Sequence, residues 1–173
     1  SPSGNAHGTP VASLCGLGPQ ALIEMSGAVP ALPASAFCQI GLRSVDMYEK
    51  HMIRELGLHV FDMRAIDELG MREVMRRALA GVSGPQGEDI HLHLSFDVDF
   101  LAPHLAPATG PPVRGGPNCR EAQLCMEMMA DTGRLGSLDI VELNPALDLR
   151  NQTAELVVDL VQSLFGQSTL ARE

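Results

Sequence analysis

Asp97 and Asp99 are the two residues whose type and spacing most directly suggest chemistry in this sequence. They follow a strand-like run over residues 90–96, so we predict that both side chains point to one side of a strand, about 6 to 7 Å apart along the chain. Two carboxylates directed at one point repel each other, and a bound divalent cation relieves this repulsion. The pattern therefore indicates a metal site, although the spacing alone leaves open an acidic strand end that begins a turn.

The elements around these aspartates alternate between short strand-like runs and longer amphipathic stretches. This order predicts parallel strands joined by crossover helices, and therefore an α/β fold. The predicted strands cover residues 36–42, 58–63, 90–96 and 137–143, and the predicted helices cover residues 46–56, 71–80 and 153–165 together with a helix that Asn118 begins and Gly133 closes. A Pro- and Gly-rich loop over residues 103–116 follows the aspartates, where ligands bind in open α/β sheets.

Two histidines and a methionine cluster are predicted to have structural roles. His93 lies about 13 Å from Asp97 at the strand rise of roughly 3.3 Å per residue, so we expect His91 and His93 to be packed or hydrogen-bonded beneath the site. The methionine cluster is expected to fill the core: Met126, Met128 and Met129.

The composition is that of one globular domain with a real core, because the 173 residues are 45% hydrophobic and 19% charged. We assign residues 1–173 to a single α/β domain. A net charge of -9 argues against a nucleic-acid partner, and no apolar run approaches the roughly 18 residues of a membrane helix. The cysteines lack metal-ligand spacing and are predicted to be buried free thiols, as expected in a reducing cytoplasm: Cys15, Cys38, Cys119 and Cys125.

Four ordered segments resemble the arginase and agmatinase family of ureohydrolases. Residues 95–103 read SFDVDFLAP and are followed by APATG and VRGG, which closely resembles the second metal motif of that family. Three further blocks agree in the same order: SGNAHG at residues 3–8, IGLRSVD at residues 40–46 and LDIVELNP at residues 138–145. The resemblance thus spans nearly the whole chain.

This resemblance implies a three-layer α-β-α fold with a mostly parallel sheet, from which this chain lacks the N-terminal strands. It also implies manganese-dependent hydrolysis of L-arginine to L-ornithine and urea, by a hydroxide that bridges two Mn²⁺ ions in each site of the complete protein. The family further suggests a cytoplasmic homo-oligomer, a trimer or hexamer, with no nucleic-acid or membrane partner.

The resemblance also assigns roles to individual residues. Asp97 and Asp99 match carboxylates that hold the metal pair, one of them bridging the two ions, and His7 matches a proton shuttle. Glu142 matches the acid that receives the guanidinium group, which a carboxylate can bind through two parallel hydrogen bonds. The remaining matches are expected to bind substrate, at its amino-acid end or from the active-site loop: Ser3, Asn5, Asp46, Glu49 and Thr109.

The sequence departs from the family pattern in one important respect. It lacks the Asp-x-His-x-Asp and Gly-Gly-x-His motifs, so four of the six expected metal ligands are absent and the chain alone is expected to be inactive. Either these residues are part of a longer protein, which we favour, or the chain is a natural truncation. Arginase is preferred to agmatinase because agmatine lacks the carboxylate that Ser3 and Asn5 would recognise. A ureohydrolase for another guanidinium compound and a non-catalytic homologue acting as an assembly partner remain alternatives.

Overall fold

The computed structural model describes residues 6–82 and 90–170 of the chain. These residues belong to two compact units. The first unit comprises residues 1–39 and 45–60, and the second comprises residues 40–44 and 61–173.

The first unit is built from helices that lack fully buried residues. Helices α1 (Pro10–Leu14) and α2 (Gln20–Ile23) contact each other, and α3 (Met47–Leu56) follows later in the chain. None of the described residues of this unit is buried. The bounds of α3 are instead fixed by hydrogen bonds at its ends, where Gly57 closes the helix in the left-handed conformation with φ 65°.

Strands β1 (Cys38–Leu42) and β2 (His59–Asp62) are hydrogen-bonded neighbours, and each begins in the first unit and ends in the second.

A parallel strand pair and four helices form the second unit in its described part. The strands are β3 (Leu92–Asp97) and β4 (Leu135–Val141), and the helices are α4 (Met63–Leu69), α5 (Met71–Gly81), α6 (Cys119–Asp131) and α7 (Gln152–Leu164). β3 and β4 are paired in parallel, and Asp97 is opposite Val141 at their carboxyl ends. Helix α6 packs against both α5 and α7.

The hydrophobic core lies in the second unit and joins these strands to the helices. Its largest fully buried apolar side chains include Ile66, Leu101, Leu160, Val74 and Val98. Two of the three clustered methionines, Met126 and Met129, are buried, and Met128 packs against the same core, which confirms the predicted core-filling role. Because Phe96 and Val98 are buried on either side of Asp97, the core fixes the backbone at the end of β3.

The predicted elements agree with the observed ones apart from details at their ends. The last predicted strand, residues 137–143, is wrong by two residues, since β4 covers Leu135–Val141 and the chain leaves the strand at Glu142. Helices α1, α2 and α4 were not predicted from the sequence, and all three are short. At the start of α4, the Asp62 side chain accepts a hydrogen bond from the Ala65 amide at 2.8 Å. The region predicted as a loop over residues 81–88 lies mostly outside the described residues.

The prediction of four buried thiols is wrong for Cys119, which is exposed in the first turn of α6. Cys15, Cys38 and Cys125 are partly buried, and all four thiols are free. Burial raises the pKa of Cys38 to about 11 and that of Cys125 to about 12, so both are weak nucleophiles at neutral pH. Within residues 6–82 and 90–170, no helix has the length and apolar character needed to cross a membrane.

Candidate active site

Asp97 and Glu142 lie at the carboxyl ends of adjacent parallel strands. Asp97 is the last residue of β3, its register partner is Val141, and Glu142 follows Val141 directly. The structure therefore has both carboxylates at one edge of the parallel strand pair. In open α/β folds this edge is where ligands bind.

Asp99 does not lie on a strand, so the prediction that Asp97 and Asp99 share a strand face is wrong. The chain turns after Asp97 into a 3₁₀ helix, Val98–Phe100, that contains Asp99. The Asp97 carboxylate accepts a hydrogen bond from the Asp99 amide at 2.8 Å and so begins this turn. The alternation of side chains along a strand does not apply to Asp99, because its backbone amide is hydrogen-bonded to the Asp97 side chain in place of a neighbouring strand.

The carboxylates of this edge interact electrostatically. Burial raises the pKa of Asp97, and the negative charges of Asp99 and Glu142 raise it further. The hydrogen bond from the Asp99 amide and the positive charge of Arg43 act in the opposite direction, but the net effect is a raised pKa. A bound cation would relieve this repulsion.

Glu142 has an uncommon backbone conformation with φ 66°, in the left-handed region that residues other than glycine rarely adopt. Such a conformation persists only when the surrounding structure fixes it, and it is frequent at functional sites. Two residues later, the Asn144 amide donates a hydrogen bond to the Ala108 carbonyl oxygen at 2.8 Å. A Cβ atom on Gly110 would lie 3.7 Å from Oε2 of Glu142. The loop that contains Thr109 therefore borders the Glu142 carboxylate.

The Thr109 loop is anchored in the core. Thr109 itself is 3% exposed, and Ala108 next to it is buried. The Ala108 amide donates a hydrogen bond at 3.1 Å to Oγ1 of Thr153, a fully buried residue in the first turn of α7. Sequence reasoning missed Thr153, because its only signal was a threonine at the start of an amphipathic helix.

In the first unit, Asp46 and Glu49 form a capping box at the start of α3. The Asp46 side chain accepts hydrogen bonds from the Tyr48 amide at 2.7 Å and the Glu49 amide at 2.9 Å. The Glu49 side chain accepts one from the Asp46 amide at 2.7 Å. Asp46 followed three residues later by Glu49 is the sequence signature of this arrangement, so the structural role was available from sequence and was missed. Their substrate role stays a prediction.

The remaining predicted residues of the first unit are His7, Ser3 and Asn5. His7 is exposed in a short 3₁₀ helix, Ala6–Gly8. Ser3 and Asn5 lie outside the described residues.

The donor chemistry of Asp97 and Asp99 fits manganese, because carboxylate oxygens suit this ion. Across residues 6–82 and 90–170, however, no three His, Cys, Asp or Glu side chains are grouped so that they could hold a metal ion. The aspartate pair thus fits as part of a ligand set, and further ligands would be needed to complete it.

His93 forms a polar cluster across β3 and β4 rather than packing beneath the site. Its Nδ1 lies 2.7 Å from Oγ of Ser137 and its Nε2 lies 3.2 Å from Oδ2 of Asp139. The predicted hydrogen-bonded role is confirmed for His93, and both His91 and His93 are exposed.

Together these features define an α/β protein with an acidic site at the carboxyl edge of a parallel strand pair. The arginase family pattern matches residues 1–166 of the chain. The arginase of Brucella melitensis is 48% identical over 174 residues, which cover 98% of this chain and 54% of that protein. The crystal structure of Bacillus subtilis arginase is similar with a TM-score of 0.92 and 42% identity, over 98% of this chain and 57% of that one. Bacillus caldovelox arginase gives the same TM-score and identity, over 98% and 56%.

The chain therefore belongs to the arginase family. The predicted arginase-like α/β fold class is confirmed by the solved structures. The chain spans about half the length of the curated relatives that it matches.

Proposed function

We propose that the intact gene product carrying this sequence hydrolyses L-arginine to L-ornithine and urea with manganese as its cofactor. The observation that carries the proposal is the placement of Asp97 and Glu142 at neighbouring strand ends, where the charge of Glu142 raises the pKa of Asp97. A site with several carboxylates attracts a cationic substrate and divalent ions. The curated relatives from Brucella melitensis and Bacillus subtilis are named arginases, which supports the choice of reaction.

Each carboxylate has a distinct task in this proposal. Asp97 and Asp99 would hold the metal pair together with further ligands, since the described residues contain no group of three potential metal ligands. Manganese, when bound, lowers the pKa of a water so that it can act as a nucleophile near neutral pH. Glu142 accepts two hydrogen bonds from the planar guanidinium group and orients its carbon for attack.

The other residues recognise the remote end of arginine and move a proton. Asp46 and Glu49 bind the amino group, and Ser3 and Asn5 bind the carboxylate, directly or through water. Thr109 lines the pocket beside Glu142. His7, as an exposed imidazole, passes a proton to the leaving amine or to solvent. A cytoplasmic homo-oligomer, trimer or hexamer, stays a prediction.

A second candidate is a non-catalytic homologue that acts as an assembly partner. The observation in its favour is that the described residues contain no group of three potential metal ligands. We expect the 173-residue chain alone to form no urea from arginine with added manganese, because two carboxylates cannot hold two ions. Urea formation by this chain would contradict the missing-ligand argument.

The decisive experiment measures steady-state urea formation by the intact gene product and its Glu142→Gln variant. The amide cannot accept the paired hydrogen bonds of a guanidinium group as a charged carboxylate does. We expect kcat to fall at least about a hundredfold, which corresponds to about 2.7 kcal/mol of transition-state stabilisation. Manganese content should stay unchanged.

Glu68→Gln is the matched control, because Glu68 is exposed on α4 and is paired with Arg64 in the same helix. It should leave kcat unchanged. Near-normal kcat in Glu142→Gln with manganese bound would exclude the guanidinium-binding role. Absence of urea from the unmodified gene product would favour the non-catalytic homologue.

A further inference from the structure

Arg43 joins the two segments that surround the candidate site. This residue follows β1 within the second unit, and it belongs to the IGLRSVD block, yet the proposed reaction gives it no role. Its Nε donates a hydrogen bond to the Val113 carbonyl oxygen at 3.1 Å, and Nη1 donates one to the Phe100 carbonyl oxygen at 3.3 Å. Nη2 donates to the Asp99 carbonyl oxygen and lies 3.5 Å from that of Leu101.

The guanidinium group of Arg43 therefore contacts the backbone of the turn that contains Asp99 and also the backbone of the 103–116 loop. All four partners are carbonyl oxygens, which are acceptors without a formal charge. A planar group with five N–H donors in a fixed arrangement can satisfy several carbonyls at once, whereas the compact ammonium group of lysine cannot reproduce that geometry.

Two close approaches indicate that this turn has little freedom to move. A Cβ atom on Gly116 would lie 2.6 Å from the Phe100 carbonyl oxygen and from the Leu101 carbonyl carbon. A Cβ atom on Gly41, which has φ 85°, would lie 2.6 Å from two ring atoms of Phe100. The backbone after Asp97 is thus enclosed by β1 on one side and by the end of the Pro- and Gly-rich loop on another.

We propose that Arg43 is a positioning residue that fixes the Asp99 turn and thereby aligns the Asp97 and Asp99 carboxylates for manganese. The inference rests on the proposed function, since it assumes that these carboxylates bind the metal. Its physical basis is that groups outside a ligand set orient the ligands, and their loss commonly weakens metal binding about 10- to 100-fold.

A purely electrostatic role for Arg43 predicts the opposite sign. A positive charge near the carboxylates disfavours a bound cation, so removal of the charge alone would strengthen manganese binding. Positioning predicts weaker binding whenever the planar donor arrangement is lost, whether or not the positive charge is kept. The Arg43→Lys variant keeps the charge and loses the geometry, while Arg43→Met loses both.

The test compares the manganese dissociation constant of the intact gene product with those of Arg43→Lys and Arg43→Met, by metal titration of metal-free protein. We expect both variants to raise the dissociation constant about tenfold or more. The increase in Tm that manganese produces should shrink in both variants, because this increment reports binding to the folded state. A merely structural role would lower Tm equally with and without the metal.

Arg64→Met is the control, since Arg64 is an exposed arginine of α4 paired with Glu68 at 2.7 Å. It should keep the dissociation constant of the unmodified protein. Arg43→Met that binds manganese as tightly as, or more tightly than, the unmodified protein would overturn the inference while the proposed function stands. If both Arg43 variants are unfolded without metal, Arg43 is a folding residue and the inference is also wrong. If the unmodified protein neither binds manganese nor forms urea, the proposed function is wrong, and the inference that rests on it is wrong as well.

Discussion

The two units support their candidate site residues in different ways. In the second unit, Asp97 follows the buried Phe96, and the Thr109 loop is anchored to the fully buried Thr153. In the first unit, none of the described residues is buried, and Asp46 and Glu49 are fixed by hydrogen bonds within one helix turn. One set of residues depends on core packing and the other on local capping.

This difference corresponds to a difference in the proposed tasks. Residues assigned to the metal and the guanidinium group must be placed accurately, because small displacements of reacting groups slow chemistry strongly. Residues assigned to the remote end of the substrate tolerate larger displacements, since they contribute to substrate binding and do not contact the reacting group. Asp97 directly follows a core residue, whereas Asp46 and Glu49 lie at the start of α3, in a unit whose described residues are all at least partly exposed.

The largest stability effect is expected from the core anchor of the Thr109 loop. Thr153→Val keeps the size of the side chain but removes the hydroxyl group, which accepts a hydrogen bond from the Ala108 amide and donates one to the Asp148 carboxylate. The buried Ala108 amide then has no partner. We expect a loss of about 1 to 3 kcal/mol in the free energy of unfolding. Equilibrium denaturation measures it, and Thr153→Ser, which keeps the hydroxyl group, should lose clearly less. Equal losses in both variants would show that the methyl group, and not the hydrogen bond, is important.

The sequence predicted the strands and long helices well because their apolar patterns reflect the core directly. The helix predicted between Asn118 and Gly133 is an example, since the structure has α6 at Cys119–Asp131 with Asn118 as its N-cap. Sequence-based prediction failed where a side chain is hydrogen-bonded to the backbone. At Asp97 the carboxylate accepts a hydrogen bond from the Asp99 amide, so the chain turns and Asp99 lies outside the strand. Long-range contacts such as that of Arg43 with the Asp99 turn, 56 residues away, have no local pattern at all.

The local support of the first unit can be tested at Asp46 with two substitutions. Asparagine caps helices about as well as aspartate, whereas alanine loses about 1 kcal/mol. Asp46→Ala should therefore destabilise α3, and Asp46→Asn should not. If the charge of Asp46 binds the substrate amino group, both variants should raise KM for arginine about tenfold, about 1.4 kcal/mol, with a smaller change in kcat.

Steady-state kinetics and the amide exchange of α3 separate these two roles. A raised KM in Asp46→Ala alone would mean that Asp46 acts only through the helix cap. Raised KM in both variants with intact α3 in Asp46→Asn would support direct recognition. Unchanged KM in both would remove Asp46 from the substrate site and would leave the capping box as its only role.

A smaller effect is expected at Asp148, whose carboxylate accepts hydrogen bonds from amides in the first turn of α7. Its Oδ1 accepts hydrogen bonds from the Leu149 amide at 2.8 Å and the Thr153 amide at 3.0 Å, and its Oδ2 accepts one from the Ala154 amide at 3.1 Å. Burial raises the pKa of Asp148, but these hydrogen bonds outweigh that effect and lower the pKa overall. The folded state thus favours the charged carboxylate, so its stabilising contribution is present above the unfolded pKa of about 3.9 and is lost as the pH falls through the lower folded value.

Asp148→Asn should consequently lower Tm by roughly a few degrees at pH 7, and the difference from the unmodified chain should shrink as the pH falls below the unfolded pKa of about 3.9. Thermal unfolding from pH 7 to pH 3 measures this dependence. Asp159→Asn makes the same change of charge at an exposed position of the same helix and should show no such pH-dependent difference. A Tm difference for Asp148→Asn that is constant with pH would assign the effect to lost packing. A difference that disappears in acid would show that charge stabilises the start of α7, the helix turn from which Thr153 holds the Thr109 loop.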